Sequence, residues 1–246
     1  MWESAGLVRT IRYTQTHPLA RLWGGHIWLG PTLLYDRPIE RWLLIAKSMP
    51  PRRILSGNTV AANMTPWIFW ARHPKSLHAA VQTGHAAYHE RPTKLLFIGK
   101  VENNVQEKWR LGERNSWAVL CDEFYCERAP KYTQEEYLER LRQTRFGISL
   151  RGYGPKCNRE IEYLALGVVM VVPPEVDTAR YDEPLVENIH YLRAHTIEEA
   201  HEKITAADNP ETWTYMSKQC IQWYDRNAAP DSAFRVTMRL CGHAAM

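Results

Sequence analysis

Residues 151–162 read Arg-Gly-Tyr-Gly-Pro-Lys-Cys-Asn-Arg-Glu-Ile-Glu, a run in which cations, glycines and carboxylates are spaced to hold an anion. Gly152 and Gly154, on either side of Tyr153, let the backbone approach a ligand closely. Arg151 and Lys156 supply positive charge. The loop then feeds the start of a helix that Asn158 can cap, and free amides and the helix dipole there favour a phosphate. Together these residues form a candidate diphosphate cradle. Arg159 and Glu162, three apart, share one side of that helix. An arginine in the first turn is mildly repelled by the dipole, and a bound anion would offset that cost. Glu162, one turn on, can accept two hydrogen bonds from ribose hydroxyls. An exposed Arg/Glu surface pair fits the same spacing, so geometry alone leaves both readings open.

These residues need a frame, and from Thr93 onward the pattern supplies one. Leu95-Leu96-Phe97-Ile98, closed by Gly99, predicts a buried parallel strand. Residues 117–120 predict a second, weaker strand. Thr133-Gln134-Glu135-Glu136 is a capping box, after which Tyr137, Leu138 and Leu141 give one helical face. Residues 146–150 predict the next strand. The Asn158 helix runs to Leu166 with Gly167 as its stop. At about 100° per residue, Ile161, Leu164 and Ala165 form its sheet-facing side, with Tyr163 and Leu166 beside Arg159 and Glu162. Strands follow at 168–172 and 189–192, then a capping box at 196–199 and a last amphipathic helix over 211–226. Alternation of this kind predicts an α/β, Rossmann-like domain with a parallel sheet covered on both faces. Ligands of such sheets bind beyond the carboxyl ends of the strands. Those ends are residues 99–103, 151–156 and 173–175. The first ninety residues carry scattered tryptophans (Trp23, Trp28, Trp42, Trp67, Trp70), and only 41–46 and 54–60 suggest elements. Residues 85–92 read as a linker or the last loop of a first subdomain, so the chain divides into 1–92 and 93–246.

Composition narrows the function classes. A formal charge of +4 with both signs interspersed suits an anionic small molecule and gives no strong case for nucleic acid. No apolar run reaches the ~20 residues of a membrane helix, and residues 1–4 lack the layout of a signal peptide. Five cysteines without CxxC spacing read as free thiols in a reducing, cytoplasmic setting. Asn63-Met64-Thr65 is a formal sequon that nothing else supports. Glycine spacing argues against a dinucleotide oxidoreductase, because Gly152-Tyr153-Gly154 lacks a third glycine, and no Walker loop is present.

The stretch from Tyr137 to Val172 resembles the donor-site segment of exostosin-like glycosyltransferases. That segment runs strand, Gly-containing loop, then R-x-x-E and a Gly before the next strand, carried here by Arg159, Glu162 and Gly167. The run from Leu95 through Lys100 to Arg110 is similar to the family's earlier strand and basic loop. The text looks closest to the compact enzymes of large DNA viruses, which would place the chain in a host cytoplasm. The likeness spans Thr93 to Leu192, 100 of 246 residues or about 40%. Tyr163 departs from it, standing where the family usually has Ala.

The resemblance implies a GT-B architecture, two Rossmann-like domains with a cleft between them. Residues 1–92 would be the acceptor-side domain, and 93–246 the nucleotide-sugar domain ending in a helix. By carry-over Glu162 holds the ribose, Arg159 and Lys156 the diphosphate, with Lys100 approaching from the neighbouring loop. The implied reaction moves a sugar from a UDP-sugar such as UDP-xylose or UDP-glucuronate to a glycan hydroxyl, with inversion. A base must then deprotonate the acceptor. Asp36, in a Tyr-Asp-Arg-Pro context, is the candidate, though a turn carboxylate fits it too; Glu40, His17 and His26 are weaker candidates. The metal-binding D-x-D triplet is absent, so the sequence predicts no metal and no cofactor, with cations and a helix start stabilising the leaving diphosphate. The alternative class is a non-catalytic glycan- or nucleic-acid-binding module built on its tryptophans; Trp67 to Arg72 has that look, though such a run is more often buried core.

Overall fold

A computed structural model describes residues 73–240, apart from 102–103, 113–115, 153–156, 177 and 180. The expectations that fall on residues 1–72, Asp36 and the tryptophan-rich stretches among them, lie outside the described residues. Five strands form one parallel sheet: β1 (Thr93–Lys100), β2 (Glu123–Glu127), β3 (Thr144–Ile148), β4 (Val169–Val172) and β5 (Tyr191–Arg193). Their spatial order is β2-β1-β3-β4-β5. This is one of the common doubly wound orders, so the α/β, Rossmann-like expectation holds for this part of the chain.

The strands are legible from their own chemistry. Leu95, Leu96, Phe97 and Ile98 are all buried, as are all four residues of β4, because helices cover both faces. Alternate residues serve two cores. Leu96, Ile98, Met170 and Val172 pack with Leu138, Leu141 and Leu164 on one face. Leu95, Phe97, Phe146, Ile148, Val169 and Val171 pack with Ala200 and Ile204 on the other.

Seven helices surround the sheet among the described residues: α1 (Pro74–Gln82), α2 (Asn104–Arg110), α3 (Gln134–Arg142), α4 (Asn158–Leu166), α5 (Ile197–Ala207), α6 (Pro210–Asn227) and α7 (Pro230–Leu240). Caps fix their starts. Thr133 Oγ1 accepts from the Glu136 amide at 3.2 Å while the Glu136 carboxylate accepts from the Thr133 amide at 2.8 Å. The box at 196–199 is half formed: Thr196 Oγ1 accepts from the Glu199 amide, but the Glu199 carboxylate reaches back to the His195 amide. Helix α4 ends at Gly167, which adopts a left-handed φ of 67°. A Cβ there would meet Ser217 Oγ at 2.5 Å, so both conformation and space demand glycine. All nine residues of α4 are buried. Burying Ile161, Leu164 and Leu166 fully stabilises by about 1.5–3 kcal/mol each.

Several expectations are corrected. Residues 117–120 belong to a 3-10 helix, Ser116–Leu120, and the second strand lies just after it. Only Trp117 of that run is buried, with Val119 74% exposed, so the run lacks two sides to bury as a strand. Strand β3 starts two residues earlier than expected and β5 two later. Helix α7 follows the helix expected to be last. The linker reading of 85–92 also fails, because this segment docks on the sheet domain. Arg91, 1% exposed, donates to the carbonyls of Ala86, Thr144 and Leu166 at 3.1, 2.8 and 2.8 Å and lies over the Trp213 ring. His85 Nε2 lies 2.9 Å from the Ala165 carbonyl. Helix α1 packs through Leu77 into the same core.

Candidate functional site

The sheet order creates one reversal. From β1 the chain crosses to β2 on one side, and β3 lies on the other, so the connections part at the carboxyl ends of β1 and β3. In open α/β sheets this is where ligands bind. Cationic residues gather there. Lys100 ends β1 and is half-buried; Arg151 and Gly152 follow β3; Arg110 ends α2; Arg159 lies in the first turn of α4.

Arg159 is buried, 7% exposed, which removes the reading of an exposed surface pair. Its Nη2 donates to the Ile98 carbonyl at 2.8 Å, and its guanidinium lies 4.4 Å from the Phe97 ring centroid. It rests directly on Gly99, where a Cβ would come within 2.5 Å of Nη2. The bare backbone of Gly99 is therefore what lets the guanidinium reach the tip of β1. Glu162 is also buried, at 6%, and Tyr137 of α3 donates its hydroxyl to Glu162 Oε2 at 3.1 Å. Burial and then the nearby Glu162 charge push the Tyr137 hydroxyl well above its ordinary range, so it remains a donor. Arg159 thus reaches β1, Glu162 reaches Tyr137 of α3, and the charges of both are felt at the Tyr137 hydroxyl.

Tyr163 is corrected from the ligand side to the sheet side. Its ring lies on Gly147, where a Cβ would sit 2.5 Å from Cε2, and its hydroxyl donates to the Ile148 carbonyl at 3.3 Å. It fills the space above a strand glycine.

Two residues that sequence reasoning passed over hold the site in shape. Arg110, 2% exposed, donates to the Lys100 carbonyl, to the Arg151 carbonyl at 3.2 Å and to Cys157 Sγ at 3.8 Å. One guanidinium therefore joins the tip of β1, the tip of β3 and the start of α4. Its position in the basic loop after β1 was the available signal. Glu160 takes the Cys157 amide at 3.0 Å and the Ser149 hydroxyl at 3.2 Å on Oε1, and the Tyr181 hydroxyl at 3.1 Å on Oε2. The cap position of α4 is accordingly Cys157, and Asn158, expected to cap, is the first helical residue. Cys157 is buried, and burial pushes its thiol up despite Arg110 and Arg159 nearby, so it stays protonated and serves packing. The four described cysteines are free thiols, as their spacing predicts.

Arg151 places its guanidinium 5.0 Å from the Trp109 ring of α2, and Gly152 is buried beside it. Tyr153, Gly154 and Lys156 lie outside the described residues, as does Asp36. The structure thus brings Lys100, Arg110, Arg151, Gly152, Arg159 and the amides of α4 to one end of the sheet, with Glu162 one turn behind. Such an end can hold a doubly charged anion and, deeper along α4, a hydroxyl donor. Among the described residues no helix is long and apolar enough to cross a membrane, and no group of His, Cys, Asp or Glu is arranged to hold a metal ion. Compared with known proteins, the chain matches no family model and none of the curated sequences.

Proposed function

We propose that the protein is a glycosyltransferase that binds a nucleoside-diphosphate sugar at the carboxyl ends of β1 and β3. The observation that carries this reading is the pair Arg159 and Glu162, both buried, on the helix that begins at the topological reversal. A ribosyl diphosphate offers anionic oxygens to a guanidinium and hydroxyl donors to a carboxylate, and the two side chains stand one turn apart on the same helix. Arg159, with Lys100, Arg151 and Lys156, balances the diphosphate; Glu162 accepts from the ribose. Gly152, Tyr153 and Gly154 are assigned to its approach from the loop sequence and the family resemblance. As the glycosidic bond breaks, charge grows on the leaving diphosphate, and fixed cations with a helix N-terminus stabilise it without a metal. Asp36, in the acceptor-side part that precedes the segment docked on the sheet domain, takes the proton of the glycan hydroxyl as its oxygen attacks the anomeric carbon opposite the leaving diphosphate, giving inversion across a GT-B cleft. UDP-xylose and UDP-glucuronate are the donors to try first.

Calorimetric titration of the full chain with UDP, GDP and NAD in metal-free buffer tests this reading. Selective UDP binding is expected. GDP preference would keep the transferase and change its donor class. Binding of none would turn the weight to a glycan- or nucleic-acid-binding module, for which steep salt dependence of RNA binding is the mark.

A further inference from the structure

Asn158 has no part in the site as described so far. It is the first residue of α4 and 4% exposed, and neither Oδ1 nor Nδ2 of its carboxamide has a hydrogen-bond partner among the described residues. The helix does not need it as a cap, because Glu160 already takes the Cys157 amide. Buried polar atoms nearly always find partners, and leaving two without one lowers the stability of the free fold. A carboxamide is donor and acceptor at once, whereas phosphate oxygens at neutral pH almost only accept. A bare diphosphate would therefore satisfy Nδ2 and leave Oδ1 without a donor.

We infer that Asn158 reads the sugar end of the ligand, Nδ2 donating to a phosphate oxygen and Oδ1 accepting from a sugar hydroxyl beside it. This rests on the nucleotide-sugar reading of the same site. With the ribose given to Glu162, the hydroxyl next to the phosphate belongs to the transferred sugar. Asn158 then separates the donor from the nucleoside diphosphate left after transfer, and it is a specificity residue at the reacting end of the site.

Asn158→Ala and Asn158→Leu in the full chain test it by thermal melting without ligand and by titration with UDP-glucuronate, UDP-xylose and UDP. The free variants should melt at or above the wild-type temperature, since an unpartnered buried amide is gone. Affinity for the UDP-sugar bound by wild type should fall about tenfold, and affinity for UDP no more than about threefold. An unchanged preference for UDP-sugar over UDP overturns the inference whatever the melting temperature. A lower melting temperature with unchanged affinities overturns it too, and marks an internal water as the amide's partner. Failure of the underlying reading has a different signature: the wild-type chain itself binds neither UDP nor UDP-sugar, and the assignment of Asn158 falls with it.

Discussion

Glu162 and Tyr137 meet across two helices, and that contact decides which substitution is informative. Glu162→Ala would remove the acceptor of the Tyr137 hydroxyl, adding a stability loss of about 1–3 kcal/mol to any effect on binding. Glu162→Gln keeps an acceptor and removes the charge. It should melt within a few degrees of wild type while UDP affinity falls about tenfold or more, measured by calorimetry. Full UDP affinity in this variant would remove Glu162 from the ribose. The i, i+3 spacing of Arg159 and Glu162 was legible in the sequence because a helix face follows from periodicity alone. Their burial was not, since it depends on Phe97, Gly99 and Tyr137, which reach them from other elements. Tyr163 illustrates the same limit. Helical angle placed it beside Arg159, but strand β3 offers a bare glycine at that height and the ring turns onto it.

At the scale of elements, starts and stops were readable where one side chain sets them. Thr133 with Glu136 starts α3, and Gly167 stops α4. Asn158 misled because a good capping residue stood next to Cys157, and Glu160 three residues on settled the register by reaching back to the Cys157 amide. The 3-10 helix Ser116–Leu120 was misread because a short apolar run does not announce how many of its sides will be covered. Nothing local could show that Arg91 would lock β3 and α4 together, since its carbonyl partners lie 53 and 75 residues away. Burial lowers its guanidinium to about 10, still charged at neutral pH. Arg91→Met should therefore destabilise by about 3 kcal/mol in urea unfolding, by stranding buried carbonyls. The affinity of the folded variant for UDP should hold, because Arg91 is bonded at the start of β3 and the end of α4, away from the strand tips.

For the molecule as a whole, the alternation of strands and helices was enough to predict a parallel sheet, but strand order was not written in any local pattern. That order places the reversal between β1 and β3, and so selects one crevice among the strand ends. Stability against acid is likewise collective. Burial alone would raise the Glu123 carboxyl, yet hydrogen bonds from Lys131, Arg140 and Tyr132 hold it down at about 2, against an ordinary 4.5. Arg226 lowers Glu183, the Thr133 amide lowers Glu136, and the His195 amide lowers Glu199. Each of these carboxyls is depressed in the folded state, so its contribution is complete above the ordinary 4.5 and is lost as pH falls through its own folded value, which for Glu123 is about 2. Melting temperature followed by circular dichroism should drop through that window, and Glu123→Gln should flatten the drop. The enclosure of α4 on every side has a further consequence. Its first turn is held by the core in the free chain, so the binding proposed there would not have to freeze that part of the chain. A cradle built wholly on a floppy loop would lose conformational freedom on every encounter, and that loss would weaken all ligands alike. In the proposed site the helix would contribute its share of affinity without that loss, leaving discrimination between ligands to how well each fits the first turn of α4.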